Sequence, residues 1–78
     1  MNPSTLPDSD GLAVTEMALA HADRLWRVEM RRAYGPDGAL LHGFGPAGQG
    51  EPGSRIRQTY EARRMAVAAW RLERRPVN

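Results

Sequence analysis

The stretch YGPDGALLHGFGPAGQGEPGS, residues 34–54, separates two segments rich in helix-forming residues and so decides the fold. Its beginning ends a helix, because Gly35 stands where a left-handed C-cap is needed and Pro36 cannot continue the helix. Its end begins another helix, because Ser54 is a good N-cap residue. Glycine and proline punctuate the residues between, so we predict a long irregular loop over 35–53.

The flanking segments predict an all-α fold, an antiparallel two-helix hairpin joined by the long Gly/Pro-rich loop. We predict the first helix over 12–34, with Thr15 as a candidate N-cap and Asp10 as a competing one, and the second over 54–75. Residues 1–11 are rich in Pro, Ser and Asp and have little to bury, so we predict a disordered N-terminal tail. Residues 12–78 then form a single small helical domain.

Each predicted helix has apolar residues on two nearly opposite sides, whereas a surface helix normally has one apolar stripe. We predict that the helices pack on each other mainly through Trp26, Met30, Tyr60, Val67 and Trp70. A hairpin buries only one side of each helix, which leaves the other exposed unless a second copy or a different protein covers it. The residues predicted for that protein interface are Val14, His21, Leu25, Val28, Met65 and Leu72.

The basic residues are all arginine, and they are unevenly distributed. The formal net charge is only +2, but residues 54–78 hold seven Arg against two acidic residues. Arginines of the second helix are predicted either to contact the phosphates of a nucleic acid or to form a solvated surface that pairs with neighbouring acidic residues. The residues concerned are Arg57, Arg64, Arg71, Arg74 and Arg75.

The glycine-rich loop matches Gly-x-Gly-x-x-Gly by composition alone, because neither a preceding strand nor a Walker-type lysine accompanies it. We predict no cofactor and no metal site, since His21 and His42 are not arranged with carboxylates as metal ligands usually are. No pair of carboxylates suits acid–base catalysis, so we predict that the chain is not an enzyme. The apolar residues 40–44 are expected to dock on the helices or to contact a partner.

These features predict a small helical protein-binding module that acts as an adaptor, assembly factor or inhibitor through apolar helix faces, either with itself or with another protein. A nucleic-acid-binding protein is the first alternative, and a component of a viral or multi-subunit assembly is the second. We expect no membrane partner and no small-molecule substrate. The absence of cysteine and of a recognisable leader favours a cytoplasmic location.

Overall fold

The structure is a computed structural model that describes the backbone of residues 7–74 and the side chains of residues 11–74. No strand occurs within this part of the chain, which confirms the all-α fold class for it. The helices in chain order are α1 (Pro7–Tyr34), α2 (Gly38–His42), α3 (Pro46–Gln49) and α4 (Arg55–Glu73).

The first helix, α1, is longer than the sequence predicts. It begins at Pro7, where the missing N–H of proline costs nothing because the first N–H groups of a helix have no internal partner. Thr15 therefore lies inside the helix, and its hydroxyl donates to two carbonyls of the preceding turn at 3.0 Å. Residues 7–11 of the predicted disordered tail are helical here, and residues 1–6 lie outside the described residues.

The two helix ends that face the connecting segment form as predicted. Gly35 follows Tyr34 with a positive φ of 92°, and its N–H donates to the carbonyl of Arg31 at 2.8 Å. At the start of α4, the hydroxyl oxygen of Ser54 accepts a hydrogen bond from the N–H of Arg57 at 3.0 Å. Both caps satisfy backbone groups that would otherwise lack a partner, which fixes where the chain leaves one long helix and enters the other.

The connecting segment, residues 35–53, contains α2 and α3 where an irregular loop was predicted. Its glycines let backbone approach backbone: Gly38 lies against the carbonyl of Met30. The indole Nε1 of Trp26 donates to the carbonyl of Gly48 at 2.8 Å, a buried bond between α1 and α3. The segment is therefore packed on the long helices by its backbone.

The long helices α1 and α4 lie against each other and run in opposite directions. Glu73 near the end of α4 lies beside Gly11 near the start of α1, and Arg63 in the middle of α4 pairs with Asp23. Contacts at these two levels place the sequence of one helix in reverse order beside the other.

The core is small and centred on α1. Trp26 and Met30, both predicted at the helix contact, are buried, and Met30 has no exposed surface. Tyr60, Val67 and Trp70 of α4, predicted at the same contact, are only half-buried. Trp26 thus unites the helix pair and the connecting segment, because its ring lies under the Arg63 guanidinium and its N–H reaches α3.

Candidate functional site

The side of α1 that points away from α4 and the connecting segment carries large exposed aliphatic side chains. Val14 is 64% exposed, Leu25 is 45% exposed and Val28 is 42% exposed. Together with Ala18 and His21 they follow a spacing of four, three, four and three residues. That alternation is the heptad spacing of a helix that packs on another helix.

An equivalent stripe runs along α4. Met65 is 72% exposed and Leu72 is 63% exposed. Ala62 and Ala69, which are also exposed, complete a spacing of three, four and three residues. Both long helices therefore carry the same apolar spacing on a side that no other described residue covers.

The two stripes lie on the same side of the helix pair. In α1 Leu25 directly precedes the buried Trp26, and in α4 Ala62 directly precedes Arg63, which stacks on Trp26. An antiparallel pair has an approximate two-fold axis perpendicular to the plane that contains both helices. This axis exchanges the helices but keeps each side of the plane where it is. Residues that directly precede an inward-facing residue therefore lie on the same side in both helices. We call this surface the apolar face, and it consists of Val14, Ala18, His21, Leu25 and Val28 of α1 with Ala62, Met65, Ala69 and Leu72 of α4.

The six residues predicted for a protein interface all belong to this apolar face. Every one of them is exposed, and the antiparallel packing of α1 and α4 brings the two helices' shares together on one surface. Residue spacing along each helix predicts the members of each stripe, whereas the packing of α1 on α4 brings the two stripes side by side. Their role in binding stays a prediction.

The connecting segment lies on the opposite side of the helix pair. The carbonyl of Gly50 accepts a hydrogen bond from Nε of Arg57 at 3.2 Å. Residues of the apolar face directly precede an inward residue, whereas Arg57 directly follows the half-buried Ile56, so Arg57 lies on the other side of α4. Leu40, Leu41 and Phe44 point into solvent, and Phe44 is fully exposed. These three side chains therefore do not dock on the helices, where glycine backbone makes the close contacts instead, and the alternative that residues 40–44 contact a partner stays a prediction.

The predicted anion-binding arginines are in different environments. Arg57 and Arg64 each contact a carboxylate oxygen of Glu61, at 3.2 and 3.5 Å, so part of their charge is already neutralised. Arg74 lies over the ring of Trp70, 4.6 Å from its centroid, which is a cation–π distance. Arg71 is exposed, and Arg75 lies outside the described residues.

A shallow groove runs along α4 beside these arginines. It has a volume of about 320 Å³, and basic, aromatic and small apolar side chains form its walls. Its lining residues are Tyr60, Arg63, Arg64, Val67, Ala68 and Arg71. Arg63, which the sequence analysis did not single out, therefore belongs both to this groove and to the contact with α1.

The centre of the helix contact holds Asp23 between two arginines. Its Oδ2 accepts from Nε of Arg27 and its Oδ1 accepts from Nε of Arg63, both at 2.7 Å. Burial alone would raise the pKa of Asp23, but hydrogen bonds and charge attraction from the two arginines outweigh it and lower the pKa below 3.8. The carboxylate thus ties the two helices together in its ionised form.

Asp23→Asn is expected to lower the free energy of unfolding by about 1–2 kcal/mol at neutral pH, because it removes charge-assisted hydrogen bonds that are partly shielded from water. The folded pKa lies below the unfolded one, so the ionised group stabilises the fold above pH ~4 and this contribution disappears as pH falls through the folded pKa. Urea unfolding between neutral and acidic pH measures both effects.

Glu29→Gln is the control for that experiment, since Glu29 contacts only Arg32 of its own helix turn, at 3.4 Å, among the described residues. Such an intrahelical pair contributes about 0.5 kcal/mol or less. An Asp23→Asn protein as stable as Glu29→Gln at neutral pH would contradict the assignment of Asp23 as the ionic link between helices.

Two further properties concern metals and membranes. Among the described residues, no group of three His, Asp or Glu side chains is placed to hold a metal ion. None of the helices found between residues 7 and 74 has the length and apolarity required to span a bilayer.

No protein-family model, curated protein or solved structure matches the chain.

Proposed function

We propose that the chain is a small non-enzymatic helical module that binds protein through its apolar face, as an adaptor, assembly factor or inhibitor. The observation that carries the proposal is the exposure of Val14, Leu25, Met65 and Leu72 along one side of both long helices. In this proposal the helix pair is a hairpin completed by the chain it binds. The absence of cysteine favours action in a reducing compartment such as the cytoplasm.

The energetic argument rests on the small core of the chain. Few side chains of the described residues are buried, whereas several large aliphatic side chains are exposed on the apolar face. Each of these contributes about 1–2 kcal/mol if it is covered, at roughly 25 cal/mol per Å². Contiguous exposed apolar surface is typical of protein-binding sites. Binding therefore supplies burial that the described residues of this small chain do not provide by themselves.

The double substitution Leu25→Glu with Met65→Glu tests the proposal. Both residues are exposed, so the helices are expected to keep their circular dichroism spectrum while binding is lost. Two buried carboxylates with no partner are expected to weaken association at least a hundredfold. The readouts are solution mass from light scattering behind size exclusion and the recovery of proteins captured from a cell lysate.

The matched control is Ala20→Glu with Gln49→Glu, which introduces the same charges at exposed positions outside the apolar face. This control is expected to behave as wild type in both readouts. If the Leu25→Glu, Met65→Glu protein also keeps the wild-type mass and every captured protein, the proposed function is wrong.

The groove along α4, which is lined by arginines, supports a second candidate function, binding to the phosphates of a nucleic acid. Arg71 is exposed there beside Tyr60 and Arg64, which combines positive charge with an aromatic ring. The affinity for a short single-stranded probe is then expected to fall steeply with salt, and Arg71→Ala is expected to reduce that slope by about one. Absence of binding to single-stranded and duplex probes at low salt would eliminate this candidate.

The third candidate function is a component of a viral or multi-subunit assembly that uses the same apolar face. The protein captured in the lysate experiment separates it from a free-standing adaptor. In an assembly, the captured chains would recover together in a fixed ratio, whereas an adaptor or inhibitor would recover a single target.

A further inference from the structure

We propose that a second copy of this chain covers the apolar face, with α1 of each copy packed on α4 of its partner in an antiparallel four-helix bundle. This inference rests on the proposed function, because it names the occupant of the same surface. Three features of the described residues favour a second copy: the spacing of the stripes, the size of the face and the charges beside it.

The spacing of the two stripes matches one helix to the other. Val14, Ala18, His21, Leu25 and Val28 alternate steps of four and three residues, and the α4 stripe alternates in the same way. Such spacing lets side chains of one helix fit between those of a helix packed nearly parallel or antiparallel to it. Each copy therefore offers its partner a stripe of the kind that it needs covered.

The size of the face suits a weak dimer. From Val14 to Val28 the α1 stripe is about 21 Å long at 1.5 Å per residue, and two adjacent helices make the face about 20 Å wide. Two copies of a face of this size together cover roughly 840 Å², which is below the ~1,200 Å² of specific stable interfaces and in the range of weak, transient ones. We expect a dimer that dissociates on dilution.

The charges beside the stripes favour packing of α1 on α4 over packing of α1 on α1. Arg24 and Arg31 lie on the outer edge of the α1 stripe, whereas Glu61 and Ala68 lie on the outer edge of the α4 stripe. Packing α1 on α1 would bring arginines together. Packing α1 on α4 brings Arg24 of each copy beside Glu61 of the other.

The height of the charged residues supports the same arrangement. A dimer axis parallel to the helices keeps every residue at its own height along the bundle. Asp23 contacts Arg63 within one copy, so Arg24 lies at nearly the height of Glu61. Arg24 of each copy then lies level with Glu61 of the other, along the same edge of the bundle.

His21 is the polar residue within the apolar face, and it provides a variant that strengthens binding. A polar side chain in a helix–helix seam lowers stability. His21→Leu is expected to tighten the dimer at least tenfold, because each dimer buries two such residues. Sedimentation velocity of the full chain, from about 1 µM to 1 mM, measures the change.

A monomeric wild type and a monomeric His21→Leu protein over that whole range would overturn the second copy as occupant. The failure of the proposed function is a separate result: neither a change in mass nor a loss of captured protein with Leu25→Glu, Met65→Glu. A monomeric wild type whose captured partner is lost in that double variant would discard the second copy and keep the protein-binding function.

Charge exchange between two variants tests the arrangement of the helices. Arg24→Glu and Glu61→Arg each place like charges at both edges of their own dimer, and each is expected to weaken it about tenfold. Mixed in equal amounts, the two variants are expected to form a heterodimer of nearly wild-type affinity, because both edges are then complementary. Thermal unfolding of each variant controls for the loss of the Glu61 contacts with Arg57 and Arg64 inside one copy. A mixture no tighter than the separate variants would overturn the packing of α1 on α4.

Discussion

Trp26→Ala is expected to unfold the chain at 25 °C. Trp26 is 6% exposed, its Nε1 donates to the carbonyl of Gly48, and the guanidinium of Arg63 lies 5.1 Å from its ring centroid. Truncating a buried tryptophan costs about 3–5 kcal/mol, and the core of a chain this small rarely supplies more than that. The measurement is circular dichroism during thermal unfolding, with loss of the cooperative transition as the expected result.

Two further variants separate the contributions of Trp26. Trp26→Phe keeps most of the buried ring but leaves the carbonyl of Gly48 without its donor, at an expected cost of about 1–2 kcal/mol. Leu40→Ala truncates a side chain that is 74% exposed and is expected to change stability by less than about 0.5 kcal/mol. A Trp26→Ala protein that melts cooperatively near the wild-type midpoint would contradict the central role of this residue.

The ends of the long helices that face the connecting segment could be predicted from the sequence because local residues determine them. Gly35 supplies a positive φ and Ser54 supplies a hydroxyl oxygen, and each satisfies backbone groups within a few residues of itself. The apolar stripes could be predicted equally well, since side-chain spacing along a helix decides which residues share a side. The start of α1 was missed because Thr15, a good N-cap residue, is also tolerated inside a helix.

The connecting segment could not be predicted because its helices are too short for a pattern. Helices of five and four residues do not repeat an apolar position often enough to be distinguished from a turn. Tertiary contact orders them instead, because the carbonyl of Gly48 accepts a hydrogen bond from the indole of Trp26, 22 residues earlier in the chain. Partners so distant leave no mark in local composition.

Replacing two glycines of the connecting segment is expected to lower the free energy of unfolding strongly. A Cβ at Gly38 would meet the carbonyl of Met30, and a Cβ at Gly48 would meet the carbonyl of Gly43. Both obstacles are backbone, so neither moves aside as the end of a flexible side chain would. Gly38→Ala and Gly48→Ala are each expected to cost about 2–3 kcal/mol in free energy of unfolding, measured by urea titration.

Gly45→Ala is the matched control, because it makes the same chemical change in the same segment. Nothing lies within 4 Å of a Cβ at Gly45, and its φ of −107° suits any residue. The loss of glycine freedom in the unfolded chain and the loss of an N-cap residue oppose each other, so the net change is expected to stay below about 0.5 kcal/mol. If Gly38→Ala unfolds at the same urea concentration as Gly45→Ala, the connecting segment is not packed on α1 at Gly38, and if Gly48→Ala does so, the backbones of Gly43 and Gly48 are not in contact. If only Gly45→Ala matches wild type, then Gly38 and Gly48 are required because the backbones must touch.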